Sequence, residues 1–147
     1  DFNAEYQVRL GDTAVFCPHG KEVVQYLHKQ GIHQYAVTNG TQTAQKRKLA
    51  NSGLDQVFVK AFISDEIGYE KPDMRFFDVV LQELADCKKE EILLIGDSLT
   101  SDMRGANNAG LTCCWYNPEG AVNDKGVRID YEIKDLIEVE QLIGERV

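Results

Sequence analysis

Paired cysteines are the first thing this sequence lacks. It has four, Cys17, Cys87, Cys113 and Cys114, and no two are spaced as C-x-x-C. Its three histidines supply no matching ligand spacing, which argues against a structural zinc site. Cys113 and Cys114 fall in an apolar run and read as buried thiols in a reducing compartment, so a cytoplasmic location is expected. Basic residues are also scarce. Sixteen Lys and Arg face 24 Asp and Glu, a net charge of −8, which argues against nucleic acid or an anionic membrane surface as a partner. No apolar run reaches membrane length, and no signal-peptide or transit-peptide pattern appears in these residues. Repeats and low-complexity segments are absent. What remains is 147 residues, 43% of them hydrophobic, enough to bury the core of one domain or most of one. A small phosphorylated metabolite stays compatible with this composition, because one local lysine outweighs a global field.

Strand and helix signals alternate along the chain. Ile92-Leu93-Leu94-Ile95 is an unbroken apolar run, the mark of a strand buried on both faces in a parallel sheet. It ends at Gly96-Asp97-Ser98, with a second acid at Asp102. Before it, Lys21–Gln30 reads as an amphipathic helix stopped by Gly31. A strand over His33–Thr38, a polar helix over Thr43–Asn51 and a strand at Ala61–Ile63 follow. Asp65–Asp73 reads as a long loop, and Arg75–Asp86 as a helix with Phe76, Phe77, Val80, Leu81 and Leu84 on one stripe. After the central run come a helix over Ser101–Ala109, strands at Thr112–Tyr116 and Tyr131–Ile133, and a closing helix over Asp135–Ile143. This βαβ spacing predicts an α/β fold with a doubly wound parallel sheet. Asp1–Leu10 carries Phe2, Tyr6 and Val8–Leu10 on a rough helical spacing, and the segment to residue 19 reads as a helix end plus connector ahead of a core over 20–147.

Three predicted strand ends carry polar residues that should share one rim of the sheet: Thr38-Asn39, Lys71 in the following loop, and Asp97 with Asp102. Open α/β sheets place ligands there. A hydroxyl and amides can donate to phosphate oxygens, and an ammonium can offset their charge as a transition state forms. Two carboxylates five residues apart can converge on one hard cation such as Mg2+. Singly, each residue has a blander explanation. Thr38 can end a strand, Lys71 can be a solvated loop residue beside Glu70 and Asp73, and Asp102 can help start a helix. Lys46-Arg47-Lys48 reads as a solvated face. The conjunction at matching strand ends is the specific signal.

Thr38-Asn39-Gly40, Glu70-Lys71-Pro72-Asp73 and Gly96-Asp97-Ser98 with Asp102 resemble motifs two, three and four of the haloacid dehalogenase-like hydrolases. Ile63-Ser64-Asp65-Glu66-Ile67-Gly68 and Asn107-Asn108-Ala109-Gly110-Leu111 extend the likeness, which runs from about Gly20 to the end. It is closest to the capped phosphatase branch with pyrimidine 5′-nucleotidases and phosphoglycolate-phosphatase-like enzymes, and Asp1–Leu10 resembles the last helix of that branch's cap. The resemblance implies a Rossmann-like core and a Mg2+-dependent phosphatase of a small cytosolic phosphomonoester, with a nucleoside 5′-monophosphate among the candidates. It implies that Thr38 and Asn39 bind phosphate, that Lys71 neutralises it, and that Asp97 ligates Mg2+ with Asp102 as a further ligand or support.

The same resemblance exposes a departure. The family's first motif, an apolar strand followed by D-x-D-x-T, supplies the nucleophile and the general acid, and no such motif occurs here. Asp12-Thr13 has no apolar strand ahead of it, and Asp65-Glu66 lacks the rest of the pattern. The motif-one strand also lies mid-sheet in that family, so its absence predicts two unpaired central edges and points to a carboxyl-terminal part of a longer enzyme. The competing readings are a non-catalytic phosphate-binding or interaction module, a phosphomutase, and a dehalogenase. The last is disfavoured by a paired Asp97 and Asp102.

Overall fold

The computed structural model describes residues 7–10, 19–53 and 57–145. Twelve elements follow in order: β1 (Gln7–Leu10), α1 (Gly20–Lys29), β2 (His33–Thr38), α2 (Gln42–Ser52), β3 (Lys60–Ile63), α3 (Ser64–Ile67), α4 (Met74–Glu83), β4 (Ile92–Gly96), α5 (Arg104–Ala109), β5 (Thr112–Tyr116), β6 (Tyr131–Ile133) and α6 (Glu138–Glu145). The strands form one sheet in the order β3-β2-β1-β4-β5-β6, and every pairing is parallel.

Both faces of this sheet are covered, as the apolar run in β4 requires. All five β4 residues are buried. Leu93 and Ile95 join one core cluster with Val23, Val24 and Leu27 of α1 and Val139 and Ile143 of α6. Leu94 joins the opposite cluster with Phe76, Phe77 and Val80 of α4 and Met103, Ala106 and Ala109 around α5. The strand's period of two thus feeds two helical layers, the doubly wound arrangement read from the sequence. Cys113 and Cys114 are buried as expected. Desolvation pushes the Cys114 thiol up to about 12, so it stays protonated at neutral pH and is a core residue.

The structure departs from the sequence reading at the amino-terminal end. Gln7–Leu10 is a strand where a helix was expected, while Asp1–Tyr6 and the connector at 11–18, Asp12-Thr13 included, lie outside the described residues. The strand sits between β2 and β4, with Gln7 level with His33 and Ile92, and Leu10 level with Ala36 and Ile95. The unpaired central edges predicted from the missing motif are therefore closed. The physical reason is the cost of leaving two rows of backbone N–H and C=O groups without partners, which a four-residue strand removes. It takes the mid-sheet place expected for the motif-one strand, and its sequence, Gln7-Val8-Arg9-Leu10, is not the apolar run of that motif.

Two smaller departures follow from local chemistry. The stretch read as one long loop opens with the single-turn helix α3, closed at Gly68 with φ of +91°. The helix predicted from Ser101 begins earlier as a π-type turn, Leu99–Met103, capped by the Ser98 hydroxyl, which accepts from Ser101 N–H at 3.1 Å. Both place backbone where the strand ends meet.

α4 and α5 approach closely because Gly105 has no side chain. A Cβ at that position would lie 2.6 Å from Cζ of Phe77, a ring with no exposed surface. Gly105→Ala is expected to lower stability by about 1–2 kcal/mol, the overpacking cost outweighing a helix-propensity gain of about 1 kcal/mol. A urea-unfolding midpoint that rises instead would show that the two helices can part at no cost.

Candidate active site

Chain order runs outward from β1 in both directions, through β2 and β3 on one side and β4, β5 and β6 on the other. The reversal lies beside β1, and the carboxyl ends of β2 and β4 flank it. This is the topological switch point at which open α/β sheets bind ligands. Thr38 ends β2, and Gly96-Asp97 ends β4.

Lys71 reaches this point from the loop before α4. Its Nζ donates to the Val37 carbonyl oxygen at 3.1 Å and to Asp102 Oδ1 at 2.6 Å. Both side chains of that ion pair are only 2% exposed. Removing two charges from water costs several kcal/mol each, and an apolar pair would be cheaper, so such a pair at a ligand-binding rim marks a functional candidate. Asp102 is held from its other side as well, since Oδ2 accepts the Ser98 N–H at 3.3 Å. The Lys71–Pro72 peptide is cis.

Asn39 holds the Lys71 backbone. Its Nδ2 donates to the Lys71 carbonyl at 3.2 Å, and its Oδ1 accepts the Lys71 N–H at 2.9 Å. The Asn39 side chain is thus committed to positioning the lysine, and the phosphate role expected of Asn39 falls to its backbone amide. Thr38 is 4% exposed, and its hydroxyl donates to the Asn39 carbonyl at 3.3 Å. Ser64, which is not among the residues singled out by sequence, ties the two loops together: its hydroxyl accepts from Gly40 N–H at 2.9 Å and donates to Gly40 O at 3.3 Å. In the sequence it is marked by its place directly after an apolar strand and by the Ile63–Gly68 likeness, neither of which says what its hydroxyl bonds to.

The structure therefore brings Thr38, Asn39, Lys71 and Asp102 into one bonded cluster, and it places Asp97 on the same rim with a different environment. Asp97 is exposed. Its carbonyl accepts from Trp115 Nε1 at 3.1 Å, which fixes the backbone at the end of β4. Two clefts flank the cluster. One, of about 370 Å3, is lined by Gly40, Ser64, Asp65, Gly68, Tyr69 and Glu70. The other, also about 370 Å3, includes Asp97, Trp115, Asn117 and Glu119. Neither Lys71 nor Asp102 is among the described lining residues.

Among the described residues no three His, Cys, Asp or Glu side chains gather as a metal cage. The donor chemistry still suits Mg2+, which keeps several waters and is held by one or two carboxylates together with substrate phosphate. Asp97 is an exposed carboxylate at the correct strand end. Asp102 lies within the site but is engaged by Lys71 and the Ser98 amide.

Gly96 is the close-approach glycine of the site. A Cβ there would lie 2.6 Å from Cβ of Asp102. Asp102 cannot retreat easily, because its own N–H bonds to Ser98 O at 3.1 Å. Gly96→Ala is expected to cost about 2–3 kcal/mol, read as a lowered urea midpoint with unchanged slope. Wild-type stability would show that the Asp102 carboxylate has room to move.

The haloacid dehalogenase-like hydrolase model matches residues 1–116. The chain belongs to this family. It is 37% identical over 128 residues to pyrimidine 5′-nucleotidase PynA of Streptococcus pneumoniae, covering 87% of this chain and 54% of that protein. It is 34% identical over 107 residues to pyrimidine 5′-nucleotidase YjjG of Escherichia coli, covering 73% and 48%. The solved structure of HAD-hydrolase YfnB from Bacillus subtilis, described as bound to magnesium, superposes with a TM-score of 0.83 at 34% identity, covering 86% of this chain and 55% of that one. The chain spans about half the length of the curated relatives it matches. No helix among the described residues is long and apolar enough to cross a membrane.

Proposed function

We propose that these residues form the phosphate- and metal-holding part of a Mg2+-dependent phosphatase acting on a small phosphomonoester, a nucleoside 5′-monophosphate by analogy with PynA and YjjG. The observation that carries this reading is the buried Lys71–Asp102 pair at the sheet's switch point, beside Thr38 and Asn39. A charge pair of that kind is costly to bury and suits a site that must manage a phosphoryl group.

In this reading the Asn39 N–H and the Thr38 hydroxyl, which would turn from the Asn39 carbonyl, donate to phosphate oxygens, while the Gly40 N–H stays on Ser64 and holds the loop. Lys71 supplies the positive charge that offsets them, held in place by Asn39 and Asp102. Asp97 would hold Mg2+, with Asp102 behind it, and the bound ion would neutralise charge on the phosphoryl oxygens and orient them. The attacking carboxylate is proposed to come from outside this sequence, since no residue here matches the D-x-D-x-T pattern. It would form an aspartyl-phosphate that water then hydrolyses.

The test is phosphate release from a panel of phosphomonoesters by the full-length protein. Turnover that requires Mg2+ and stops in EDTA is expected. Phosphate binding without turnover, in a full-length protein that lacks D-x-D-x-T, would favour the non-catalytic reading. Transfer of the phosphoryl group to a second hydroxyl of the substrate would make it a phosphomutase.

A further inference from the structure

The cleft on the β2 side of the cluster contains an aromatic side chain that the proposed chemistry does not use. Tyr69 is 39% exposed and lines that cleft with Gly40, Ser64, Asp65, Gly68 and Glu70. Its ring is backed by a fixed cation: the Arg75 guanidinium lies 4.3 Å from the ring centroid. Arg75 is itself locked on Asp73, with Nη2 donating to Oδ2 at 2.8 Å and Nε to Oδ1 at 3.1 Å. Asp73 also accepts the Arg75 backbone N–H at 2.8 Å, as the cap of α4. These bonds hold the Asp73 carboxyl below the usual carboxylate range. Ring, guanidinium and carboxylate therefore form a short stack anchored to a helix start, and Arg75 is not among the cleft's described lining residues.

We infer that Tyr69 is a stacking platform for a planar, heteroaromatic leaving group, a nucleobase class of ligand. This rests on the proposed phosphatase reading and adds its specificity determinant. The cleft that Tyr69 lines also includes Gly40, the residue after Thr38-Asn39, so the leaving group of a phosphate held at Thr38-Asn39 has this cleft beside it. The cleft volume, about 370 Å3, lies within the range of about 300–1,000 Å3 typical of small-molecule sites. Stacking on an aromatic face suits any flat base, and with Arg75 over one face of the ring the other is the one a base would use. Asp65 and Glu70 on the same wall favour ring amino groups and sugar hydroxyls, and they oppose leaving groups that carry a second phosphate. The selected class is a nucleoside monophosphate with hydrogen-bond donors, over both a nucleoside diphosphate and an acyclic phosphate.

Calorimetric binding to the full-length protein tests this without relying on turnover, with cytidine 5′-monophosphate and ribose 5-phosphate as probes and phosphate release measured in parallel. Wild-type protein is expected to bind the nucleotide at least tenfold more tightly than the sugar phosphate. Tyr69→Leu should weaken the nucleotide about tenfold and leave the sugar phosphate unchanged, the scale of one base–aromatic stack. Tyr69→Phe should stay within about twofold to threefold of wild type, and the thermal midpoints of both variants should match it. Equal binding of the two probes by wild type overturns the inference, as does a Tyr69→Leu change that affects both probes alike or neither. Tyr69-dependent nucleotide binding without phosphate release would instead defeat the phosphatase reading and leave the platform standing.

Discussion

Replacing Lys71 with methionine is expected to destabilise the protein by about 3–5 kcal/mol, the range for removing one partner of a buried ion pair. The size follows from enclosure. Both side chains are 2% exposed, so water cannot replace the lost ammonium at Asp102. The Val37 carbonyl loses its donor in the same step. The companion double variant, Lys71→Met with Asp102→Leu, is expected to recover most of that stability, because it removes the stranded charge as well. It should not recover phosphate release, for which the ammonium is the proposed offset to phosphoryl charge. Urea unfolding of the three variants, read with phosphate release from the full-length protein, separates the two roles. A single variant that loses less than about 1 kcal/mol would show that Asp102 finds another donor or water. A double variant that keeps activity would remove Lys71 from the proposed chemistry.

Much of this arrangement is legible in the sequence, for identifiable reasons. Ile92–Ile95 is apolar at every position, which only a strand covered on both faces accommodates, and its neighbours then follow βαβ spacing. Once the strands were placed, parallel pairing carried Thr38, Lys71 and Asp97 to one rim. The identity of the middle strand was not legible. Gln7-Val8-Arg9-Leu10 is too short and too polar to declare itself, and it becomes a strand because β2 and β4 each present an edge to it. The direction taken by Asp102 was equally hidden. Its spacing from Asp97 is compatible with a shared cation or with separate partners, and its bond to a lysine 31 residues away has no local signature. The Asn39 clamp spans 32 residues and has no signature in either segment. Local pattern thus reported the scaffold and the rim, while the division of labour among the polar residues depended on contacts between distant loops.

That division of labour yields the second large effect. Asp97→Asn is expected to weaken apparent Mg2+ affinity about a hundredfold or more and to lower phosphate release in proportion at fixed low Mg2+. Its stability should stay within about 0.5 kcal/mol of wild type, because Asp97 is an exposed residue whose backbone carbonyl is bonded to Trp115 and is unchanged by the substitution. Asp102→Asn should behave in the opposite way, losing stability first, since its carboxylate neutralises a buried ammonium. Excess Mg2+ should partly rescue Asp97→Asn and do nothing for Asp102→Asn, because mass action can refill a weakened ligand site but cannot restore a missing counter-charge. Titration with Mn2+, followed by paramagnetic broadening of resonances near the end of β4, gives the same comparison without turnover. If the two variants show equal stability loss and equal insensitivity to added metal, then Asp97 belongs to the structural pair rather than to a metal site, and the chemistry proposed for this rim would have to proceed with phosphate donors and Lys71 alone.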